Sequence, residues 1–245
     1  MPSFHQLRLA FHAQKKAQNR KNLIAGHASQ VLTASRGLNI SNQVVDDAID
    51  GFLEVFPQKK ATKTMAGIHE AAHFVAYTVL GLGAWKAEIH GTKFGRGGWG
   101  GRAVPCNDFD PQNASGKHFL NEALATLAGP FAEHILGNGD AYSSVGELFA
   151  ARIYVSRAAL HTGQNSDTLW YQTLVQAEGL VHQYREHILV LASFLETRKE
   201  ITCIMPSVKK ILKTINPSPP LSFSILSCHH VLADKFRKII SNLLG

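Results

Sequence analysis

The sequence predicts a mainly α-helical protein with a small β-hairpin or sheet. Apolar residues recur at helical spacing over several long windows. Two short runs flank a glycine-rich turn, the pattern of a hairpin. An apolar content of 45% over 245 residues is ample for a real core and excludes a globally disordered chain.

The elements are expected in the following order. Val44, Val45, Ala48, Ile49, Phe52 and Leu53 share one helical face, with Ser41 as N-cap. Pro57 and the Lys59-Lys60 pair read as a connector. A second helical pattern covers 63–83 and is stopped by Gly81 and Gly83. Trp85 to His90 and Arg102 to Pro105 form the two arms of the hairpin, around the cluster Gly95 to Gly101. Another helix covers 117–136 and ends at Gly137. After a loop from Asn138 to Gly146, helices are expected over 147–162 and 167–199. Pro206, Pro217, Pro219 and Pro220 break up the tail, which closes on an amphipathic stretch from Val231 to Leu244. The chain thus divides into a basic helical segment (1–60), a central unit (61–205) and a divergent tail (206–245).

The formal charge is +7, and no acidic residue precedes Asp46. Such a basic segment can touch a membrane surface, nucleic acid or an acidic partner, or act as a targeting peptide. Its basic residues are not interleaved with aromatics in a binding pattern, which favours a solvated arm over a nucleic-acid site. No uncharged apolar run reaches the roughly 20 residues of a membrane span. The first residues lack the apolar core of a secretory signal. Three widely spaced cysteines, Cys106, Cys203 and Cys228, do not make a disulfide framework and fit a reducing compartment. A cytoplasmic location is the expectation. The glycine cluster is not a phosphate loop, because no Lys-Ser or Lys-Thr follows at the required spacing.

The run His69-Glu70-Ala71-Ala72-His73 is HExxH in a window free of proline from Ala61 to Leu80. Residues four apart lie one turn apart on one face of a helix, so both imidazoles can reach one metal ion. Glu70 is rotated away from that line and can lie beside the metal without binding it, where it can take a proton from an attacking water. This is the pattern of a zinc peptidase, in which zinc lowers the pKa of water towards about 7. A third protein ligand is needed. Glu88, Glu122, Glu133, Asp140 and Glu147 are the candidates, and spacing alone does not choose among them. Glu122 and Glu133 can instead bond to a ligand histidine from outside the metal shell. Glu147 stands at the start of a helix, where the dipole favours a carboxylate in any case.

Several segments resemble one family. HEAAHFVAYTVLG is similar to the HEAGH-type zinc helix of the FtsH-like, AAA-linked zinc peptidases. KAEIHGTKFGRGGWGGRAVPCNDF resembles that family's edge strand and hairpin. LAGPFAEHILG resembles its LAGRAAEEIIFG helix, and SSVGELFAARIYVSRA resembles its GASNDL segment. ASQVLTASRGLNISNQVVDDAIDGFLEV is similar to the last lid helices of the attached AAA module. The resemblance covers roughly residues 28–200. It implies a helical metallopeptidase fold, one zinc per subunit and homo-oligomeric, hexameric rings. It makes His69 and His73 zinc ligands, Glu70 the catalytic base and Glu147 the third ligand. The family has Asp at that last position; Glu is an acceptable zinc ligand whose extra methylene needs a small backbone adjustment. Asp140 is the reserve candidate. No Walker A sequence occurs in the 245 residues, and Pro130 replaces the family's arginine, with a kink as the expected result.

The expected activity is therefore ATP-independent hydrolysis of peptides or unfolded protein, with substrate lying along the strand at Trp85–His90. The alternative is a lapsed peptidase that keeps the fold as an interaction module docking on a separate AAA partner.

Overall fold

A computed structural model describes residues 61–91, 98–107, 109–137 and 145–215. The basic segment over 1–60, the start of the glycine cluster (95–97), Asp140 and the closing amphipathic stretch lie outside the described residues. Among those described, the architecture is mainly helical with one small antiparallel sheet.

The first helix, α1 (Lys63–Val79), is the centre of the fold. Its N-cap is Thr62, whose hydroxyl accepts from the Met65 N–H. Ile68, Phe74 and Val75 are buried, and Ala66, Ala71, Ala72 and Ala76 are small enough to let neighbours approach closely. A helix buried on nearly every side must be covered on every side. The helix α2 (Gly116–Leu136), the helix α5 (Arg185–Arg198) and the strands β1 (Ala84–Gly91) and β2 (Trp99–Pro105) do so. Gly81 and Gly83, both at positive φ, turn the chain from α1 into β1.

The hairpin is present. β1 and β2 pair antiparallel, with Glu88 opposite Arg102 and Ile89 opposite Gly101. A third strand, β3 (Glu200–Thr202), adds to the other side of β1, so the order is β2-β1-β3. This corrects the expected substrate edge. β1 is the central strand and is paired on both sides, whereas β2 has no strand partner on its outer side among the described residues.

On α2, Ser115 caps the first turn in a reciprocal box with His118. The helix continues through Pro130, which is buried within it. The helix α3 (Val145–Thr162) packs on α2. The single helix expected over 167–199 is two helices, α4 (Ser166–Gln183) and α5, separated at Tyr184. No glycine or proline marks that break, and α5 ends on Lys199 in the left-handed conformation. Pro206, read as a breaker, stands in the first turn of the short helix α6 (Pro206–Leu212), where a missing N–H leaves no helical bond unmade. Val208 and Ile215 join the same core.

Phe74 is among the largest fully buried side chains. Phe74→Ala should lower the unfolding free energy by about 3–5 kcal/mol, as read by urea denaturation of the metal-free chain. A loss below about 1 kcal/mol would contradict the central placement of α1.

Candidate metal centre

α1 and α2 run past each other in opposite directions, since His69 meets Glu133 while His73 meets Ala125. α3 starts beside them and brings in Glu147 from its first turn. Three side-chain atoms from two helices thereby converge. His69 Nε2 lies 3.0 Å from His73 Nε2, and each lies 3.1 Å from Glu147 Oε1. Together the three residues form a group that can hold a metal ion.

The outer bonds of the two rings decide what those atoms are. His73 Nδ1 is 2.7 Å from the Ala125 carbonyl. A carbonyl only accepts, so Nδ1 carries the proton and donates it. A neutral ring then presents a bare lone pair at Nε2. His69 Nδ1 faces Glu133 Oε2 at 3.4 Å, which favours the same tautomer. Two nitrogen lone pairs and one carboxylate oxygen therefore point at one another. Like-signed atoms at such distances repel unless a cation lies among them. Four ligands set tetrahedrally at the 2.0–2.1 Å typical of zinc are about 3.3 Å apart, close to the spacing observed here. The donor set fits the ion.

Electrostatics point the same way. Burial disfavours a charged His69, but the charges and hydrogen bonds of Glu147 and Glu133 outweigh it and raise its pKa well above the ordinary value. Burial pushes the Glu147 carboxyl up, but His69 and His73 outweigh that and hold it well below the usual range. The field that retains a proton here also retains a metal cation. The Glu147 side chain is 35% exposed, which leaves one side of the cluster open.

Glu70 is 6% exposed and sits against β2. Burial raises its pKa, against the pull of His69 and His73. The close fit depends on Gly101: a Cβ there would come within 2.6 Å of Glu70 Cγ and 2.3 Å of the Glu88 carbonyl oxygen. Gly129 of α2 has the corresponding role at the metal group. A Cβ on it would lie 2.4 Å from His73 Nε2 and 2.6 Å from His69 Nε2, in the space an ion needs. Sequence reasoning missed both glycines. An isolated glycine inside a helical pattern was the available signal for Gly129.

The other candidates fall elsewhere. Glu88 is held by Lys86 and Arg102 on the sheet. Glu122 lines a separate cavity. Glu133 bonds to His69 on the side away from the cluster. Asp140 lies outside the described residues. Among the described helices, none is long and apolar enough to cross a membrane. No family model matches the chain, and no curated protein matches it.

Gly129→Ala should abolish stoichiometric metal binding while leaving the helical circular dichroism intact; full metal occupancy in this variant would rule out the site. Glu133→Gln should weaken metal affinity by about 10–100-fold, measured by competition with a chelating dye, and an unchanged affinity would remove Glu133 from the support of His69.

Proposed function

We propose that the chain is a zinc endopeptidase of the FtsH-like kind, cutting peptides or already unfolded protein. The observation that carries this reading is the triangle of His69 Nε2, His73 Nε2 and Glu147 Oε1 with buried Glu70 beside it. Two imidazoles and one carboxylate also suit non-haem iron. Glu70 supports hydrolysis. It lies between the two histidines in sequence and is withdrawn from the cluster, and redox chemistry has no use for a carboxylate base at that point.

Zinc, when bound, supplies a Lewis acid that acidifies water and polarises a carbonyl oxygen. The chain's own residues do the rest. Ala125 and Glu133 hold the two rings with their Nε2 lone pairs inward. Glu70 takes a proton from the attacking water and hands it to the departing amine nitrogen. Its buried setting keeps bulk water from competing for that proton. Beyond Trp99, whose N–H donates to the Ala61 carbonyl, the outer side of β2 carries no strand among the described residues and has room for an extended peptide, and Gly101 brings that strand close to Glu70. The 245 residues contain no Walker A sequence, so nothing in them drives the unfolding of a folded substrate. Hexameric assembly belongs to the same resemblance and is proposed with it; docking on a separate AAA partner belongs to the alternative reading as an interaction module.

The test is zinc content and casein cleavage for wild type, Glu70→Gln and Glu147→Ala. Wild type should bind one zinc per chain and cut casein. Glu70→Gln should keep its zinc and lose about 100–10,000-fold in kcat. Glu147→Ala should lose both zinc and activity. Full activity in Glu70→Gln overturns the mechanism. Zinc held by a wild type that cuts no unfolded substrate supports the interaction-module reading instead.

A further inference from the structure

A cavity of about 440 Å³ opens between the end of α1 and the start of α2. Leu80, Leu82, Phe109 and Ala114 supply apolar wall, Asn121 and Glu122 supply polar groups from α2, and five further polar residues, Lys117 and His118 among them, complete the lining. Glu122 is 8% exposed. Its carboxyl has no hydrogen-bond or ion-pair partner among the described residues. A carboxylate so placed gains from a cation that enters the cavity. Burial alone pushes its pKa up to about 7. Asn121 adds a second acceptor. Its Nδ2 donates to the Leu80 carbonyl at 3.1 Å, and that leaves Oδ1 for another donor.

The charged residues at the mouth do not supply the partner. Lys117 lines the cavity but is exposed, so solvent screens its charge. Asp110 is bonded to the Asn113 side chain and the Gln112 N–H. A part-apolar wall that leads to a carboxyl and an amide oxygen fits a long aliphatic stem tipped with a cation.

The position also fits. Glu122 and Gly129 lie seven residues apart on α2, two turns along the same face, or about 10 Å. An extended peptide advances about 3.3 Å per residue. A side chain two or three residues from the scissile bond therefore reaches the cavity. β2 leads the same way, running from Gly101 beside Glu70 towards Asn107 and Phe109 on the cavity wall.

We propose that this cavity is a specificity pocket for a lysine or arginine side chain of the substrate, with Glu122 meeting its charge. The assignment rests on the peptidase reading and adds a substrate class to it. A purely structural Glu122 would affect folding without altering which peptides are chosen.

The experiment uses the zinc-loaded full chain and matched peptides carrying lysine, arginine or norleucine at each of the three positions on either side of the cut. Wild type should prefer the basic residue over norleucine at one position by at least about tenfold in kcat/KM, with the difference mainly in KM. Glu122→Gln should shrink that ratio to below about threefold. Absence of any basic preference, or a preference unchanged in Glu122→Gln, overturns the pocket and leaves the peptidase reading standing. A wild type that cuts no peptide overturns the peptidase reading. The pocket is then decided by nuclear magnetic resonance titration with Nα-acetyl-lysine methylamide. Binding that is stronger than that of the norleucine analogue and is lost in Glu122→Gln supports it; equal binding, or binding kept in the variant, overturns it.

Discussion

The hydrogen bond from His73 Nδ1 to the Ala125 carbonyl sets the chemistry of the whole centre. It fixes one ring as a donor on its outer side and so forces a lone pair to face inward. The second ring, turned by Glu133, and the carboxylate of Glu147 complete a group of acceptors 3.0–3.1 Å apart. Such a group gains from positive charge at its centre, whether a metal ion or the proton that His69 holds. Much of the surrounding fold can be understood as what keeps these atoms at that spacing. α1 is buried on almost every side and so cannot roll to relieve the repulsion. α2 comes close enough for its backbone to accept from His73 because Gly129 has no side chain at the point of contact.

The two functions that the proposed peptidase needs would be carried on different faces of α1. The face towards α2 and α3 holds the metal group, and the face towards β2 holds Glu70. A rotation of one residue along a helix, about 100°, is what separates a ligand from a base. Gly129 and Gly101 are then the matching clearances on the two sides. In that reading the sheet contributes more than a surface for the peptide. By placing β1 in the middle and β2 outermost, it leaves the free strand next to Glu70 and not on the far side of the domain.

How much of this was legible in the sequence depends on the range of the interaction. His69, Glu70 and His73 were legible because helical periodicity alone puts them in place. The hairpin was legible from its glycine cluster. Glu147 was one of five carboxylates that spacing could not separate, because it arrives on a different helix across a loop; only the family resemblance singled it out. Glu133 was recognised as a possible support for a histidine, but which ring it meets is a tertiary fact. The central position of β1 was not legible, since β3 is only three residues long and lies beyond a helix. The break at Tyr184 was missed because the residue there is neither glycine nor proline, and the left-handed Lys199 was missed for the same reason. Glu122 could be listed from sequence, but its lack of a partner depends on the cavity around it.

The central claim is that position 147 joins His69 and His73 on one zinc ion, and zinc K-edge X-ray absorption tests it most directly. The wild-type chain should show only light N or O scatterers at about 2.0–2.1 Å, with the outer-shell pattern of two imidazoles. Glu147→Cys should add one sulfur scatterer at about 2.3 Å and keep both imidazoles. Fewer than two imidazoles in the wild type, or no sulfur on the zinc of a loaded Glu147→Cys chain, would contradict the account.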